Sequence, residues 1–322
     1  MTKTFLPGDV LTPAKVPTMY FIGVTTAKSS IRPVFTLWAD ILNRPEFELV
    51  GIDLPLRADP DLYRNVVEFI KKDPLSRGAL VTTHKVQLYR ACQDLFDNID
   101  PVAQALHEVS CLSKEGLALR ATAKDPSTSV LALQSILPDT YWESHDTDVV
   151  CLGAGGSALA LASHFVGNLT SKSAPRRIVV TNRSAERLKE FRTTYESLGS
   201  GPELELIHSP NPEVNDEVVS AAPPGSLIVN ATGLGKDAPG SPLTKASQFP
   251  QDGYVWDFNY RGDLLFLDQA RAQQAKKNLH IDDGWVYFLH GWTQAISEVL
   301  RVTIAPTGPL FDTLSSAARV VR

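Results

Sequence analysis

Short apolar runs alternate with longer segments of helical periodicity along the first part of the chain. Each apolar run is bounded by polar or turn-forming residues, as in buried strands, and the first helical segment opens with Pro33, which favours the first turn of a helix. The predicted strands are residues 19–25, 47–52 and 78–83, and the predicted helices are residues 33–42, 60–72 and a segment that begins near His84 or Lys85. This alternation predicts a mostly parallel sheet covered by helices.

A second series of strands follows a polar stretch at residues 138–147. Before that stretch, the pattern predicts a hairpin of residues 106–112 and 117–121 and a connecting helix at 127–136. The later predicted strands are residues 148–152, 177–181, 203–208, 226–230 and 254–258, and residues 284–300 have the pattern of a helix. The predicted fold is α/β with two domains and a cleft between them: residues 1–137 with a returning segment at 283–322, and a doubly wound Rossmann-type domain at 138–282.

Composition narrows the classes of partner. The 322 residues carry a formal net charge of -5, which argues against binding to nucleic acid or to an anionic membrane surface. The sequence has three cysteines, which are far apart along the chain, so their spacing indicates neither disulfides nor a metal site. Residues 1–16 lack the uninterrupted apolar stretch that is typical of a signal peptide, and no window approaches the roughly 18 apolar residues of a membrane span. We expect a cytoplasmic protein that binds small molecules, and a homodimer is left open.

The turn after the strand at 148–152 has the spacing of a dinucleotide-binding loop. Gly153 permits a tight turn, Gly155 allows the backbone to approach a pyrophosphate, and Ala158 lets the following helix pack against the strand. The free N–H groups at the start of that helix favour the binding of a phosphate group. Such a glycine pattern alone is weak, but a strand precedes this one and a helix follows it. It predicts a nicotinamide dinucleotide site.

The next strand ends in Asn182, Arg183 and Ser184, with no carboxylate at the position where NAD-binding folds contact the ribose 2'-hydroxyl. Arg183 and Arg187 can pair with a 2'-phosphate instead, because guanidinium donates in a plane that matches phosphate oxygens. Two solvated arginines at a helix start are the alternative. The interpretation favours NADP(H), with NAD as the second option.

Several motifs in sequence order resemble the shikimate and quinate dehydrogenase family, over nearly the whole range from Met19 to Leu300. They are residues 21–33 with Lys28-Ser29-Ser30, residues 81–85 (VTTHK), residues 121–125 (ATAKD), residues 230–235 (NATGLG) and residues 257–260 (DFNY). The resemblance implies a dehydrogenase acting on a CH–OH group, with Lys85 and Asp125 as the acid–base pair. A lysine beside a carboxylate can exchange the hydroxyl proton as hydride moves. Without the resemblance, Lys85 is an ordinary helix-start residue and Asp125 a helix N-cap.

The expected binding residues follow from the loop and from the resemblance. Those expected to contact the cofactor are Gly153, Ala154, Gly155, Gly156, Ser157, Ala158, Asn182, Arg183, Ser184, Arg187, Ala231, Thr232, Gly233, Leu234, Phe258, Tyr260 and Gly284. Those expected to contact the substrate are Ser29, Ser30, Arg32, Thr82, Ser110, Tyr260 and His290. Ser29, Ser30 and Arg32 would bind a carboxylate, although Arg32 is alternatively a solvated loop residue and either serine an N-cap.

The chain departs from the family's pattern where ring hydroxyls are contacted. Ser110, Ala123 and Gly291 stand where the family has Asn, Asn and Gln. Each lost hydrogen bond should cost about 0.5 to 1.5 kcal/mol, so shikimate itself is expected to be a poor substrate. The expected substrate is a cyclic hydroxy or keto carboxylate related to shikimate, 3-dehydroshikimate or quinate.

Alternative functions remain open. A catalytically silent sensor or regulatory homologue would explain the altered substrate positions, although retention of Lys85 and Asp125 speaks against it. A glutamyl-tRNA reductase type of enzyme needs a nucleophilic cysteine, and Cys92 is predicted to lie inside a helix with no paired base. A methylenetetrahydrofolate dehydrogenase type fits the spacing of Lys85 and Asp125 less well.

Overall fold

The computed structural model describes residues 3–138, 140–167, 174–236 and 238–322. The chain divides into two compact units, residues 1–124 with 291–322 and residues 125–290. The sequence pattern predicts boundaries at 137/138 and 282/283, whereas the units divide at 124/125 and 290/291. The helix at 125–136 therefore lies in the second unit and not in the first. The C-terminal segment belongs to the first unit.

The first unit contains a seven-stranded mixed sheet in the order β1-β3-β2-β4-β6-β7-β5. Its strands are β1 (Thr4–Phe5), β2 (Thr18–Gly23), β3 (Glu48–Asp53), β4 (Ser76–Val81), β5 (Asn98–Ile99), β6 (Cys111–Glu115) and β7 (Ala118–Thr122), and its helices are α1 (Ile31–Ile41), α2 (Pro60–Lys72), α3 (Lys85–Cys92), α4 (Pro101–Leu106) and α13 (Pro309–Ala318). Strands β1 to β4 are mutually parallel, whereas β6 runs antiparallel to both β4 and β7.

The first unit is held together by an apolar core on α2 and by a contact between α1 and α13. Tyr20 and Ile22 of β2 lie in a core with Val66, Val67 and Ile70 of α2. On α1, the Trp38 indole N–H donates to the Leu314 carbonyl of α13 at 2.8 Å, so the C-terminal helix is fixed to this unit.

The second unit contains a six-stranded parallel sheet in the order β10-β9-β8-β11-β12-β13. Its strands are β8 (Asp148–Leu152), β9 (Arg177–Asn182), β10 (Glu203–His208), β11 (Leu227–Asn230), β12 (Tyr254–Asp257) and β13 (His280–Asp282). Its helices are α5 (Asp125–Ile136), α6 (Tyr141–Ser144), α7 (Gly156–Ser163), α8 (Ala185–Ser197), α9 (Pro212–Ser220), α10 (Leu265–Arg271) and α11 (Gln274–Lys277), and α12 (Trp285–Leu300) crosses the boundary at 290/291.

Both faces of the second sheet are buried. Along β8, Val149 and Cys151 pack in one core, and Val150 and Leu152 pack in the other. A strand covered on both faces has to be continuously apolar, which is why this run was recognisable in the sequence. The strand order and the two covered faces confirm the predicted doubly wound Rossmann-type unit.

Local differences from the predicted elements have physical causes. The hairpin strand predicted from residue 106 begins only at Cys111, because Asp100 caps a helix at Pro101 by accepting hydrogen bonds from Val102 and Ala103 N–H groups. The edge strands β1, β5 and β13 were not predicted, because two or three residues are too few to show a period of two. No helix among the described residues is long and apolar enough to cross a lipid bilayer.

Candidate active site

Gly153 forms the tight turn after β8. Its φ is +112°, and an added Cβ atom would lie 2.7 Å from the Ala231 carbonyl oxygen in the loop after β11. The Gly153 N–H donates to the Thr181 carbonyl of β9 at 2.9 Å. A side chain is excluded both by the backbone conformation and by space, so glycine is required to bring these three strand ends together.

The next residues form an open helix start. Gly155 is exposed, and no described atom lies within 4 Å of the position that a Cβ would occupy. Helix α7 begins at Gly156, and Ala158 in its first turn is fully buried against the sheet. The arrangement places helix N–H groups beside empty space, as a pyrophosphate site requires.

This loop lies where the strand order reverses. Strand β8 has β9 on one side and β11 on the other. From β8 the chain adds β9 and β10 on one side, and after β10 it returns past β8 to add β11 on the other side. Ligands of open α/β sheets bind at such a point, beyond the carboxyl ends of the strands. The predicted residues Ala231, Thr232, Gly233 and Leu234 follow β11 at the same edge.

The end of β9 presents two exposed arginines. The Asn182 side-chain oxygen accepts from the Ser184 N–H at 2.9 Å, and the Ser184 hydroxyl caps α8 by accepting from the Arg187 N–H. Arg183 is exposed, and the exposed Arg187 pairs with Glu190 at 3.0 Å. An exposed pair of this kind is worth at most about 1 kcal/mol, so Arg187 can exchange it for a phosphate.

A buried polar cluster, formed by Asn230, Asp257 and Asn259, joins the loops after β11 and β12. The Asp257 carboxylate accepts from the Asn230 side-chain amide at 3.0 Å and from the Asn259 N–H at 2.8 Å. Both amide side chains also donate to the Leu234 carbonyl. Burial raises the pKa of Asp257 to about 6. The sequence motifs contained these residues, but no role was predicted for Asp257 or Asn259.

Aromatic side chains surround the start of α12. The Tyr260 ring contacts Phe288 and Trp285, with centroids 4.6 and 5.5 Å away, and the Phe258 ring lies 5.1 Å from Tyr287. Gly284 packs directly on this turn, because an added Cβ would lie 2.0 Å from the Phe258 carbonyl oxygen.

His290 ends the part of α12 that belongs to the second unit. It is buried, and desolvation lowers its pKa to about 4. The imidazole is therefore neutral at neutral pH, so His290 can offer a hydrogen bond but not a positive charge.

In the first unit, the strand topology places several of the predicted site residues just beyond one end of the sheet. Phe21, Leu80, Cys111 and Thr122 are aligned across β2, β4, β6 and β7. Because β6 runs antiparallel to its neighbours, its first residue lies at the same end of the sheet as the last residues of β2, β4 and β7. The segments beyond this row carry Ser29 and Ser30, Thr82 and Lys85, Ser110, and Ala123.

Lys85 is the first residue of α3 and is half-buried. The turn before it contains Thr83 at a φ of +64° and the buried His84, whose Nδ1 lies 2.9 Å from the Tyr63 hydroxyl of α2. Burial lowers the pKa of His84. Thr82 donates its N–H to the Ile22 carbonyl of β2 at 2.9 Å. Backbone and buried side chains thus fix the direction in which α3 begins.

Ser110 connects the ends of β4 and β7. Its carbonyl accepts from Val81 N–H at 2.8 Å and its N–H donates to the Thr122 carbonyl at 3.0 Å. Its hydroxyl accepts from the Lys124 N–H at 2.7 Å. Ala123 is buried beside it. Ser110 therefore has a structural role in addition to any contact with substrate.

Arg32 is not the carboxylate clamp that the sequence suggested. It is buried, and its guanidinium donates to the carbonyls of Thr26, Lys3 and Leu49 and to the hydroxyls of Thr4 and Thr26. A guanidinium has five N–H donors, and these five bonds occupy them. Arg32 instead holds the turn at residues 26–28, where Thr26 is also bound by Asp53.

The two serines of that turn remain candidates. Both are half-buried, and the Ser30 hydroxyl, immediately before α1, makes no capping bond to the described helix. Asp125, the other predicted catalytic residue, is the buried first residue of α5 in the second unit.

Other candidate chemistries find little support among the described residues. They contain no group of three or more side chains able to hold a metal ion. Cys92 is fully buried at the end of α3, and burial raises its pKa to about 12, so it is a protonated thiol rather than a nucleophile.

Comparison with known proteins identifies the same fold. No family model matches the chain. A shikimate dehydrogenase (NADP(+)) of Afipia carboxidovorans is 34% identical over 142 residues, which cover 43% of this chain and 45% of that protein. The matched segment thus spans less than half the length of this relative.

Solved structures match over nearly the whole chain. A shikimate 5-dehydrogenase from Thermus thermophilus, in complex with NADP(H) and shikimate, has a TM-score of 0.68 at 22% identity and covers 95% of this chain and 99% of its own. A quinate dehydrogenase from Corynebacterium glutamicum, in complex with NAD, has a TM-score of 0.70 at 18% identity, with coverages of 94% and 98%. The fold that the motifs implied is confirmed: the chain has the fold of the shikimate and quinate dehydrogenases.

Proposed function

We propose that this protein is an NADP(H)-dependent oxidoreductase of shikimate dehydrogenase type. It transfers hydride between the nicotinamide and a CH–OH carbon of a cyclic hydroxy or keto carboxylate related to shikimate, 3-dehydroshikimate or quinate. The observation that carries the proposal is the glycine turn at Gly153, which lies at the strand-order reversal of a Rossmann-type unit and opens a helix toward empty space.

The cofactor preference rests on the end of β9. Arg183 and Arg187 are exposed there, and residues 182–185 contain no carboxylate that would repel a 2'-phosphate. The Afipia relative is named for NADP(+), whereas the Corynebacterium structure contains NAD. We therefore propose NADP(H) as the cofactor and NAD as a weaker one.

Lys85 and Asp125 are proposed to transfer the proton. A bound nicotinamide accepts or supplies the hydride. As the hydroxyl carbon is oxidised, the Lys85 amine takes the hydroxyl proton, and in reduction the Lys85 ammonium returns it to the new alkoxide. The Asp125 carboxylate would orient the amine and stabilise its charged form.

The substrate is proposed to bind through its carboxylate to the hydroxyls of Ser29 and Ser30. Thr82, Ser110, Tyr260 and the neutral His290 would contact the ring. Ala123 and Gly291 carry no hydrogen-bonding side chain, so a ring hydroxyl facing either residue would lose its partner. The preferred acid should therefore make fewer hydroxyl contacts than shikimate does with its own dehydrogenases.

Oxidation and reduction of a panel of such acids test the assignment. Wild-type protein should consume or produce NADPH with at least one of them, and Lys85→Ala should lower kcat by about 100- to 10,000-fold, the usual contribution of a general acid or base. Binding of NADPH should be unchanged in this variant, which shows that the fold survives. A wild type without turnover, or a Lys85 variant as active as wild type, would disprove the proposal.

A catalytically silent homologue is the second candidate. It is favoured by the same two positions, Ala123 and Gly291, because a sensor need not keep the contacts that align a ring for hydride transfer. Calorimetry with the panel distinguishes the two functions. Tight binding of an acid and NADPH without any turnover would identify the silent protein.

A further inference from the structure

One charged cluster, beside the proposed substrate residues, takes no part in the proposed hydride and proton transfer. Glu298 lies on α12, with only 16% of its side chain exposed. Its carboxylate lies 2.5 Å from the Lys124 ammonium and accepts from the Ser113 hydroxyl at 2.7 Å. The Thr122 hydroxyl lies 3.4 Å from both of its oxygens.

The partners of Glu298 all come from the β6–β7 hairpin and the segment that follows it. Lys124 is held at both ends, because its N–H donates to the Ser110 hydroxyl at 2.7 Å while its ammonium pairs with Glu298. Both contacts restrain the backbone where it leaves β7. Asp125 is the next residue.

Glu298 is partly withdrawn from water, and withdrawing a carboxylate from water is costly unless charge and hydrogen bonds compensate it. The cluster supplies that compensation, and it joins α12 to the segment 122–124 by an ion pair and hydrogen bonds. Short charge-assisted bonds also define geometry more narrowly than apolar contacts do.

We propose that Glu298 is a positioning residue, which fixes the segment between β7 and Asp125 through its ion pair with Lys124. This inference rests on the proposed function, because the position of Asp125 matters for proton transfer only if Asp125 partners Lys85. Neither Glu298 nor Lys124 needs to touch the substrate. Small displacements of reacting groups lower rates steeply, and a change of about 1 Å can cost about 100-fold.

Two substitutions break the pair and one preserves it. Glu298→Gln keeps an oxygen for Ser113 and Thr122 but loses the charge, Lys124→Met loses the ammonium, and Lys124→Arg keeps a cation. We expect the first two to lower kcat by about tenfold with the KM for NADPH unchanged, and Lys124→Arg to retain most of the wild-type rate. A purely structural role would lower the melting temperature without this separation of kcat from KM.

The matched control is Glu115→Gln. Glu115 lies on the same hairpin and pairs with Arg301, next to the end of α12, at 3.1 Å, but this pair is exposed and lies at the far end of the hairpin. Its kcat should equal that of wild type. If Glu298→Gln does not fold, the comparison of Lys124→Met with Lys124→Arg decides. Equal rates for these two variants, or a wild-type kcat in Lys124→Met, would overturn the inference.

Amide hydrogen exchange separates this inference from the proposed function. Exchange at residues 122–125 should be faster in Glu298→Gln and Lys124→Met than in wild type and Glu115→Gln, whether or not any acid is turned over. A wild type without turnover would refute the proposed function alone. Unchanged exchange in both variants would refute the positioning role, even in an active enzyme.

Discussion

The loop after β8 in the second unit and the strand-end edge of the first unit are both candidate ligand sites, but they are built from different chemical groups. The loop relies on backbone: a glycine in a left-handed conformation, a second glycine beside open space and the N–H groups of a helix start. The edge relies on side chains such as those of Ser29, Lys85 and Ser110.

This difference predicts that the loop tolerates changes of sequence better than the strand ends of the first unit do. Backbone donors are present whatever the side chains are, so a phosphate site persists as long as the glycines do. Side-chain contacts change one residue at a time, as Ala123 and Gly291 illustrate. We therefore expect the cofactor to resemble that of other proteins with this fold more closely than the substrate does.

The largest effect on stability and on cofactor binding is expected from Gly153→Ala in the loop after β8. Gly153→Ala forces a Cβ to 2.7 Å from the Ala231 oxygen at a φ of +112°. Strain of about 1 to 3 kcal/mol should lower the melting temperature by several degrees and abolish NADPH binding. Differential scanning calorimetry and NADPH fluorescence measure the two effects.

Gly155→Ala is the matched control for that loop. No described atom opposes its Cβ, so its melting temperature should equal that of wild type, while NADPH binding weakens because the methyl group occupies the approach of the pyrophosphate. Wild-type affinity in Gly155→Ala would show that the dinucleotide does not pass this residue.

The next effect concerns cofactor selectivity. Arg183→Ala should weaken binding of NADPH by about 10- to 100-fold and leave NADH binding unchanged, because a hydrogen bond to a charged group contributes about 1.5 to 3 kcal/mol. Arg192→Ala is the control, because Arg192 lies on the following helix, α8, and is paired with Glu196. A preference for NADPH that persists in Arg183→Ala would show that Arg183 does not bind the 2'-phosphate.

A smaller effect is expected in the pH dependence of stability. Asp257 has a pKa of about 6 in the folded protein, above its ordinary 3.8, so the folded protein keeps a proton that the unfolded chain loses between about pH 4 and pH 6. This group alone makes the free energy of unfolding fall as pH rises through that window, by at most about 1.4 kcal/mol per pH unit.

His290 acts in the opposite direction, because its pKa of about 4 lies below the ordinary 6.5 and its contribution to stability increases with pH over that range. Urea unfolding from pH 4.5 to 7 should show a steeper increase of stability with pH in Asp257→Asn than in wild type. The exposed Glu213→Gln should leave the profile unchanged. Identical profiles for Asp257→Asn and wild type would contradict the elevated pKa.

The smallest expected effect is an increase of kcat/KM for shikimate when a side chain is added at Gly291. Gly291 lies in α12, and apart from its chain neighbours and the backbone of its own helix no described atom is within 4 Å of an added Cβ, so a longer side chain has room to begin. Gly291→Gln should raise kcat/KM for shikimate by about three- to tenfold, the value of one added hydrogen bond. Gly291→Met fills similar space without a polar group and should give no gain. Equal values for the two variants would show that no ring hydroxyl faces this helix turn.

The sequence by itself determined much of the fold. The strand at 148–152 and the helix at 60–72 were predicted with the bounds that the structure has, because a strand buried on both faces is continuously apolar and a proline-led amphipathic helix has a clear period. The glycines of the loop were identifiable because their backbone requirement is local. Arg183 at the end of β9 follows from the same local register.

Only the tertiary structure decided the roles of side chains whose partners are far away in the chain. Arg32 was expected to bind a carboxylate, yet its guanidinium donates its hydrogen bonds to oxygens of Lys3, Thr4, Thr26 and Leu49. Glu298 was not predicted at all, because its partners lie more than 170 positions earlier. Hydropathy records how much of a residue is buried but not which donor meets which acceptor, and that pairing exists only once the strands and helices have packed.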